Sequence, residues 1–145
     1  MASVQSAPMR VAGRHSHSDA AGQPNRGSVV IEPLELGRDL ADALAEKKGE
    51  DILLLDLTGV CTFADYFVLA TGLSERTLQA LADDLQRKFK GVGAGRRALA
   101  EGSAASGWIL LDFGSVIVHL LSPAQRSFYR LEELWHEGRV VLRST

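Results

Sequence analysis

The chain has 145 residues, 46% of them apolar and 23% charged, a net charge of −2 and one cysteine. That is one domain's worth of sequence with enough apolar residues for a core, and the lone Cys61 excludes an intrachain disulfide, as expected of a protein in a reducing compartment. No run approaches the ~18 to 20 apolar residues of a membrane span and no secretory signal is visible, so a cytoplasmic protein with no membrane association is expected.

Apolar residues are unevenly spread. Residues 1–30 contain no Leu, Ile, Phe, Tyr or Trp, so they cannot offset their ordering entropy and are read as a disordered tail. The tail is acid-poor and contains Ser and Arg, as transit peptides do, but it has no clear amphipathic helix, which favours the bacterial cytoplasm over an organelle. Residues 31–138 are read as the folded domain and 139–145 as a C-terminal extension. From residue 31 onward, 13 basic side chains face 17 acidic ones, a net −4. Such a domain is poorly suited to gripping phosphate backbones and better matched to a basic protein surface, although the charge also serves solubility alone.

The first predicted helix starts at Pro33, between Glu32 and Glu35, and runs to about Gly49 with Leu36, Leu40, Ala43 and Leu44 on one stripe. Asp51 to Leu57 is a short apolar run bounded by charges, the pattern of a strand buried on both faces. Thr58-Gly59-Val60 breaks it, and Tyr66 to Ala70 reads as a second strand. Ser74 then caps a helix with Leu78, Leu81, Leu85 and Phe89 on one face, ending in the Gly-rich turn 91–95.

A third strand is expected near Arg97 to Ala100. Trp108 to Asp112 and Val116 to Leu121 read as a hairpin around Phe113-Gly114, and Ser122-Pro123 opens a final helix with Phe128, Leu131 and Trp135 on its packing face. Arg126, Tyr129 and Glu132 form a second, polar stripe. Alternating strands and helices around one hairpin predict a single-domain α/β fold with a mixed β-sheet flanked by helices.

Strand alternation assigns Ile109, Leu111, Val116, Val118 and Leu120 to the core. Trp108, Leu110, Asp112, Ile117, His119 and Leu121 take the other face, and a two-residue turn would set Trp108 opposite His119 and Leu110 opposite Ile117. This face is either covered, with Trp108 in the core and His119 hydrogen-bonded, or a partly exposed Trp, Leu and carboxylate cluster of the kind that makes an interface hot spot.

Catalytic patterns are weak. Gly72-Leu73-Ser74-Glu75-Arg76 lacks the second Gly of a nucleophile elbow, and Ser115, His119 and Asp112 do not fall where a triad needs them. His15 and His17 have no nearby ligands to complete a metal set, and the Gly-rich turn lacks the Lys-Ser or Lys-Thr of a phosphate loop. No catalytic residue, metal or cofactor is assigned.

The ordered string Glu101-Gly102, Trp108, Asp112-Phe113-Gly114, Val118-His119, Arg126, Phe128-Tyr129, Leu131-Glu132 and Leu134-Trp135 resembles the signature of the iojap-like ribosomal silencing factors, RsfS. So do Asp65-Tyr66-Phe67-Val68 and Thr71-Gly72-Leu73-Ser74-Glu75-Arg76, and the match spans roughly residues 34 to 136. Two positions depart from it: Ser115, where relatives commonly carry an acid, and Thr77, where they commonly carry Gln.

The resemblance implies a translational repressor that binds the large ribosomal subunit through its fourteenth protein and keeps the small subunit from joining. Minor contact with ribosomal RNA is expected from the tail, whose three Arg against one Asp give it a charge of +2, and a homodimer when free is a further expectation. Trp108, Leu110, Asp112, His119, Glu101 and Arg126 are the implied partner-binding residues. The family's fold is similar to that of nucleotidyltransferases, whose chemistry uses metal ions held by paired carboxylates. Here the nearest acids, Asp83 and Asp84, are adjacent in a helical pattern and diverge by about 100° around the axis. The alternatives to a repressor are therefore a nucleotidyltransferase-like enzyme or a homodimeric interaction module.

Overall fold

In a computed structural model that describes residues 32–92, 99–134 and 136–144, helix α1 spans Pro33–Glu46 with Pro at its first turn and Glu35 against the positive end of its dipole. Its buried stripe is Leu36, Leu40, Ala43 and Leu44, as the spacing predicts. Strand β1, Glu50–Asp56, follows, then β2, Tyr66–Thr71, and helix α2, Glu75–Lys88. Ser74 caps α2, its hydroxyl oxygen accepting from the Thr77 amide at 3.0 Å. The chain continues through β3 (Leu99–Ser103), β4 (Trp108–Asp112), β5 (Val116–Leu121), α3 (Pro123–Tyr129), α4 (Leu131–Leu134) and β6 (Arg139–Ser144).

The six strands form one sheet in the order β3-β4-β5-β2-β1-β6. Only β2 and β5 pair in parallel; the other neighbours are antiparallel, so the sheet is mixed. One face carries Leu54, Val68, Ala70, Ile109, Leu111, Val116, Val118 and Leu120 against the leucines of α1 and α2. The opposite face carries Leu53, Leu55, Phe67, Leu69, Leu110 and Ile117 under a thinner cover of Cys61, Phe63 and Ala64 from the β1–β2 loop, with Tyr129 and Leu131 beyond. Residues 1–30, predicted to be a tail, and Gly93 to Gly95 lie outside the described residues.

Five details differ from the sequence reading. The hairpin register is Trp108 with Leu121, Leu110 with His119 and Asp112 with Ile117. The turn is centred on Gly114-Ser115 and not on Phe113-Gly114: Phe113 N–H donates to the Val116 carbonyl at 2.9 Å, and Gly114 at φ 94° accepts a conformation closed to most side chains. A slip of two residues leaves every side chain on its expected face. The third strand also runs further than expected, through Glu101-Gly102 to Ser103; Arg97 and Ala98 lie outside the described residues.

The terminal helix breaks at Arg130, which adopts φ 50°, so Phe128 is 74% exposed while Leu131 is buried; Trp135 lies outside the described residues. The stripe of Leu78, Leu81 and Leu85 predicts that Asp83 and Asp84 both turn to solvent, but only Asp83 is exposed, and Asp84 is buried beside Arg87 and Lys88.

Finally, the segment read as an extension is a strand of the sheet: β6 pairs with β1 from Ile52 to Asp56. Arg139 anchors it through an ion pair with Asp56. Asp56 also accepts from the Thr58 amide and hydroxyl, and these bonds, with Arg139, hold its carboxyl below the ordinary carboxylate range although burial opposes them. Truncation after Gly138 strips β1 of one ladder of backbone hydrogen bonds and should cost on the order of 3 kcal/mol in urea unfolding. A truncated chain with an unchanged midpoint would show that β6 is dispensable.

Candidate interaction face around Trp108

The strands place Trp108, Leu110, Asp112 and His119 on the sheet face away from α1 and α2, and the β3 register sets Glu101 beside Leu110 on that face. Arg126 reaches the same region from α3, its guanidinium donating to the Thr71 hydroxyl at 2.9 Å. The six residues singled out in the sequence are thus gathered on one side of the sheet. Their exposure differs from the cluster expected: Leu110, Asp112 and His119 are buried, while Trp108, Glu101 and Arg126 remain partly accessible. Leu110 is covered because β3 and β5 flank it and Trp108 lies over the same hydrophobic cluster.

Asp112 is a turn residue. Its Oδ1 accepts from the Gly114 amide at 2.8 Å and closes the hairpin bend, so the carboxylate is directed into the fold. His119 is fully buried between Phe67, with ring centroids 4.6 Å apart, and Trp108, at 5.9 Å. The Trp108 indole N–H donates to His119 Nδ1 at 3.2 Å. Burial, with a smaller effect from the Arg126 charge, lowers the imidazole pKa from 6.5 to about 3, so it is neutral at physiological pH.

Two aromatic residues outside the six singled out join this side: Tyr129, of the polar stripe with Arg126, and Phe128, which the spacing assigns to the packing face. Tyr129 stacks obliquely on Trp108 at 4.7 Å, and Phe128 meets Tyr129 edge to face at 4.8 Å. A row of rings therefore runs from the buried His119 through half-exposed Trp108 and Tyr129 to exposed Phe128. The signal that would reveal it is the helix break at Arg130, which carries no Gly or Pro to announce it.

The Glu101-Gly102 motif has a local cause. Gly102 sits at φ 86°, and a Cβ there would lie 2.1 Å from the Trp108 carbonyl oxygen, so only Gly lets β3 approach β4 at this point. Gly102→Ala should destabilise the domain by about 2 kcal/mol or more and perturb Trp108 fluorescence. An unchanged melting temperature would contradict this account.

The buried imidazole sets a pH dependence. Its folded pKa lies below that of the unfolded chain, so as pH falls the unfolded state takes up the proton first. This contribution is intact above about pH 6.5 and is lost at about 1.4 kcal/mol per unit below it, down to about 3. Urea midpoints measured between pH 7 and 5, above most carboxylate titrations, should fall for the native chain and stay flatter for His119→Gln. Parallel curves would refute the assignment.

Asp83 accepts from Gln79 on the exposed side of α2 while Asp84 pairs with Arg87 and Lys88, so the two acids do not converge on a common point. Among the described residues no group of three or more His, Cys, Asp and Glu is placed to hold a metal, and no helix is long and apolar enough to cross a membrane.

Comparison with known proteins agrees with the family resemblance. The chain is 35% identical over 119 residues to the ribosomal silencing factor RsfS of Zymomonas mobilis, covering 82% of this chain and 89% of that one. It is 38% identical over 98 residues to RsfS of Bacillus subtilis, covering 68% and 82%. A mouse relative named "Mitochondrial assembly of ribosomal large subunit protein 1" is 33% identical over 81% of this chain and 52% of its own. The crystal structure of protein CV0518 from Chromobacterium violaceum superposes with a TM-score of 0.67 at 36% identity, over 73% of this chain and 88% of that one. The sequence model of the family described as "Ribosomal silencing factor during starvation" matches residues 31–144, from before α1 to the end of β6, and the chain belongs to that family, RsfS.

Proposed function

We propose that this domain represses translation by docking on the fourteenth protein of the large ribosomal subunit through the face around Trp108. Once seated, it occupies volume that the small subunit needs in order to join. The observation that carries the reading is the half-exposed Trp108, held by His119 and Tyr129 at the edge of the thinly covered sheet face, with exposed Phe128 beyond. A rigid aromatic anchor beside polar residues is the usual composition of an interface hot spot. The net −4 of residues 31–145 suits a basic partner surface.

On this reading the protein is not an enzyme: repression scales with occupancy, and neither nucleotide nor metal takes part. It acts in the bacterial cytoplasm, where subunits join. Support comes from the names of its relatives, which speak of ribosomal silencing and, in the mouse protein, of the large subunit. Asp112 and His119 act through the fold of the face, and Trp108, with Glu101 and Arg126 at its margins, makes the contact.

The test is co-sedimentation with purified large subunits, with and without small subunits. The chain should travel with the large subunit and shift the mixture away from joined ribosomes without added nucleotide. Trp108→Ala should weaken binding by about 2 kcal/mol, roughly thirtyfold, while the domain stays folded. A chain that stays at the top of the gradient in every mixture rules the proposal out.

A further inference from the structure

His119 is an unusual residue to bury at this place. An indole N–H can only donate, so the 3.2 Å contact from Trp108 Nε1 to His119 Nδ1 assigns Nδ1 as acceptor and leaves the proton of the neutral ring on Nε2. That Nε2 is buried and has no hydrogen-bond partner among the described residues. A buried, unsatisfied N–H is unfavourable, and an apolar side chain of similar size would fill the space between Phe67, Leu69 and Leu110 without it. Packing therefore does not account for a histidine here, whereas its Nδ1 does something no apolar residue can.

The geometry points to His119 as a positioning residue for the interaction face: its Nδ1 holds the Trp108 indole N–H inward, so that the ring face and hydrocarbon edge of Trp108, and not its polar group, are offered to the partner. This inference rests on the docking reading above and deepens it by naming what the partner meets. The indole is fixed from two sides, by the hydrogen bond and by the Tyr129 ring at 4.7 Å, and Phe128 extends the apolar surface outward. Such a surface fits an aliphatic side chain or the stem of a Lys or Arg laid across the rings, with the cation over the indole face. It does not fit a partner group that would accept a hydrogen bond from the indole. Because the imidazole is neutral throughout the physiological range, the arrangement does not depend on pH there.

The experiment compares the full chain with His119→Gln, whose side-chain oxygen can accept from the indole, and with His119→Phe and His119→Leu, which cannot. Each is measured for melting temperature, for solvent exchange of the Trp108 indole proton by NMR, and for affinity to purified large ribosomal subunits. The acceptor-free variants should melt at or above the native temperature, exchange the indole proton at least tenfold faster, and bind about tenfold more weakly; His119→Gln should recover most of both properties. A merely structural role would link lost binding to lost stability and would give no rescue by Gln. Should one acceptor-free variant fold poorly, the other supplies the same comparison. Binding by a folded His119→Phe or His119→Leu within twofold of the native chain overturns the inference. If Trp108→Ala still loses binding in that case, the docking reading stands without it, whereas native binding by Trp108→Ala removes both.

Discussion

The parallel pairing of β2 with β5 is the constraint on which the rest of the structure depends. It joins strands of residues 66–71 and 116–121 in six consecutive registered pairs, and parallel neighbours need a crossover. Helix α2 supplies the crossover and is held to one face, where its leucines complete the core with α1. The chain then reaches the sheet edge at β3 and returns through the β4–β5 hairpin, so β5 has a neighbour on both sides. His119 is buried because it lies on this interior strand, level with Leu69 of β2 and Leu110 of β4.

The same crossover makes the two faces unequal. The first face is closed by two helices of 14 residues, and the second is left to a loop and to short helices. None of the seven residues of α3 is buried; the helix is held by its Ser122 cap, by Gln125 donating to the Ser106 carbonyl, by Arg126 on Thr71 and by Tyr129 on Trp108. Polar contacts of this kind each contribute about 1 kcal/mol, well short of what the leucine stripes of α1 and α2 contribute by burial. Trp108 stands where the well-covered sheet meets this lightly held edge.

How much of this was legible in the sequence depended on the range of the signal. Caps and periodicity located α1, α2 and the start of α3, because Pro33 fixes its own φ at the first turn and Ser74 and Ser122 accept from amides three residues on. Strand alternation divided the hairpin correctly between its faces even though its register was misjudged, since a slip of two conserves side-chain parity. Exposure was harder to read. Whether Leu110, Asp112 and His119 meet solvent is decided by β3, by the Gly114 turn and by the 57–65 loop, none of which is encoded in the residues themselves. β6 was missed because Arg139, Val140, Val141, Leu142 and Arg143 do not alternate as a half-buried strand should. They belong to an edge strand with a register shift against Leu54 and Leu55, and Arg139 finds its charge partner 83 positions away.

On the docking reading, the arrangement of the rings matters as much as their presence. Binding loses free energy to every side chain that must be ordered at the interface, and a free surface tryptophan would add to that loss. Trp108 is ordered in advance, with its N–H engaged by a neutral imidazole and its ring against Tyr129. Replacing His119 with an apolar residue would relieve a buried, unpartnered N–H but release the indole, so stability of the domain and readiness of the face are opposed at this one residue. A repressor that works by occupying space has only its residence on the partner to rely on, and a face fixed before contact lengthens that residence without enlarging the interface.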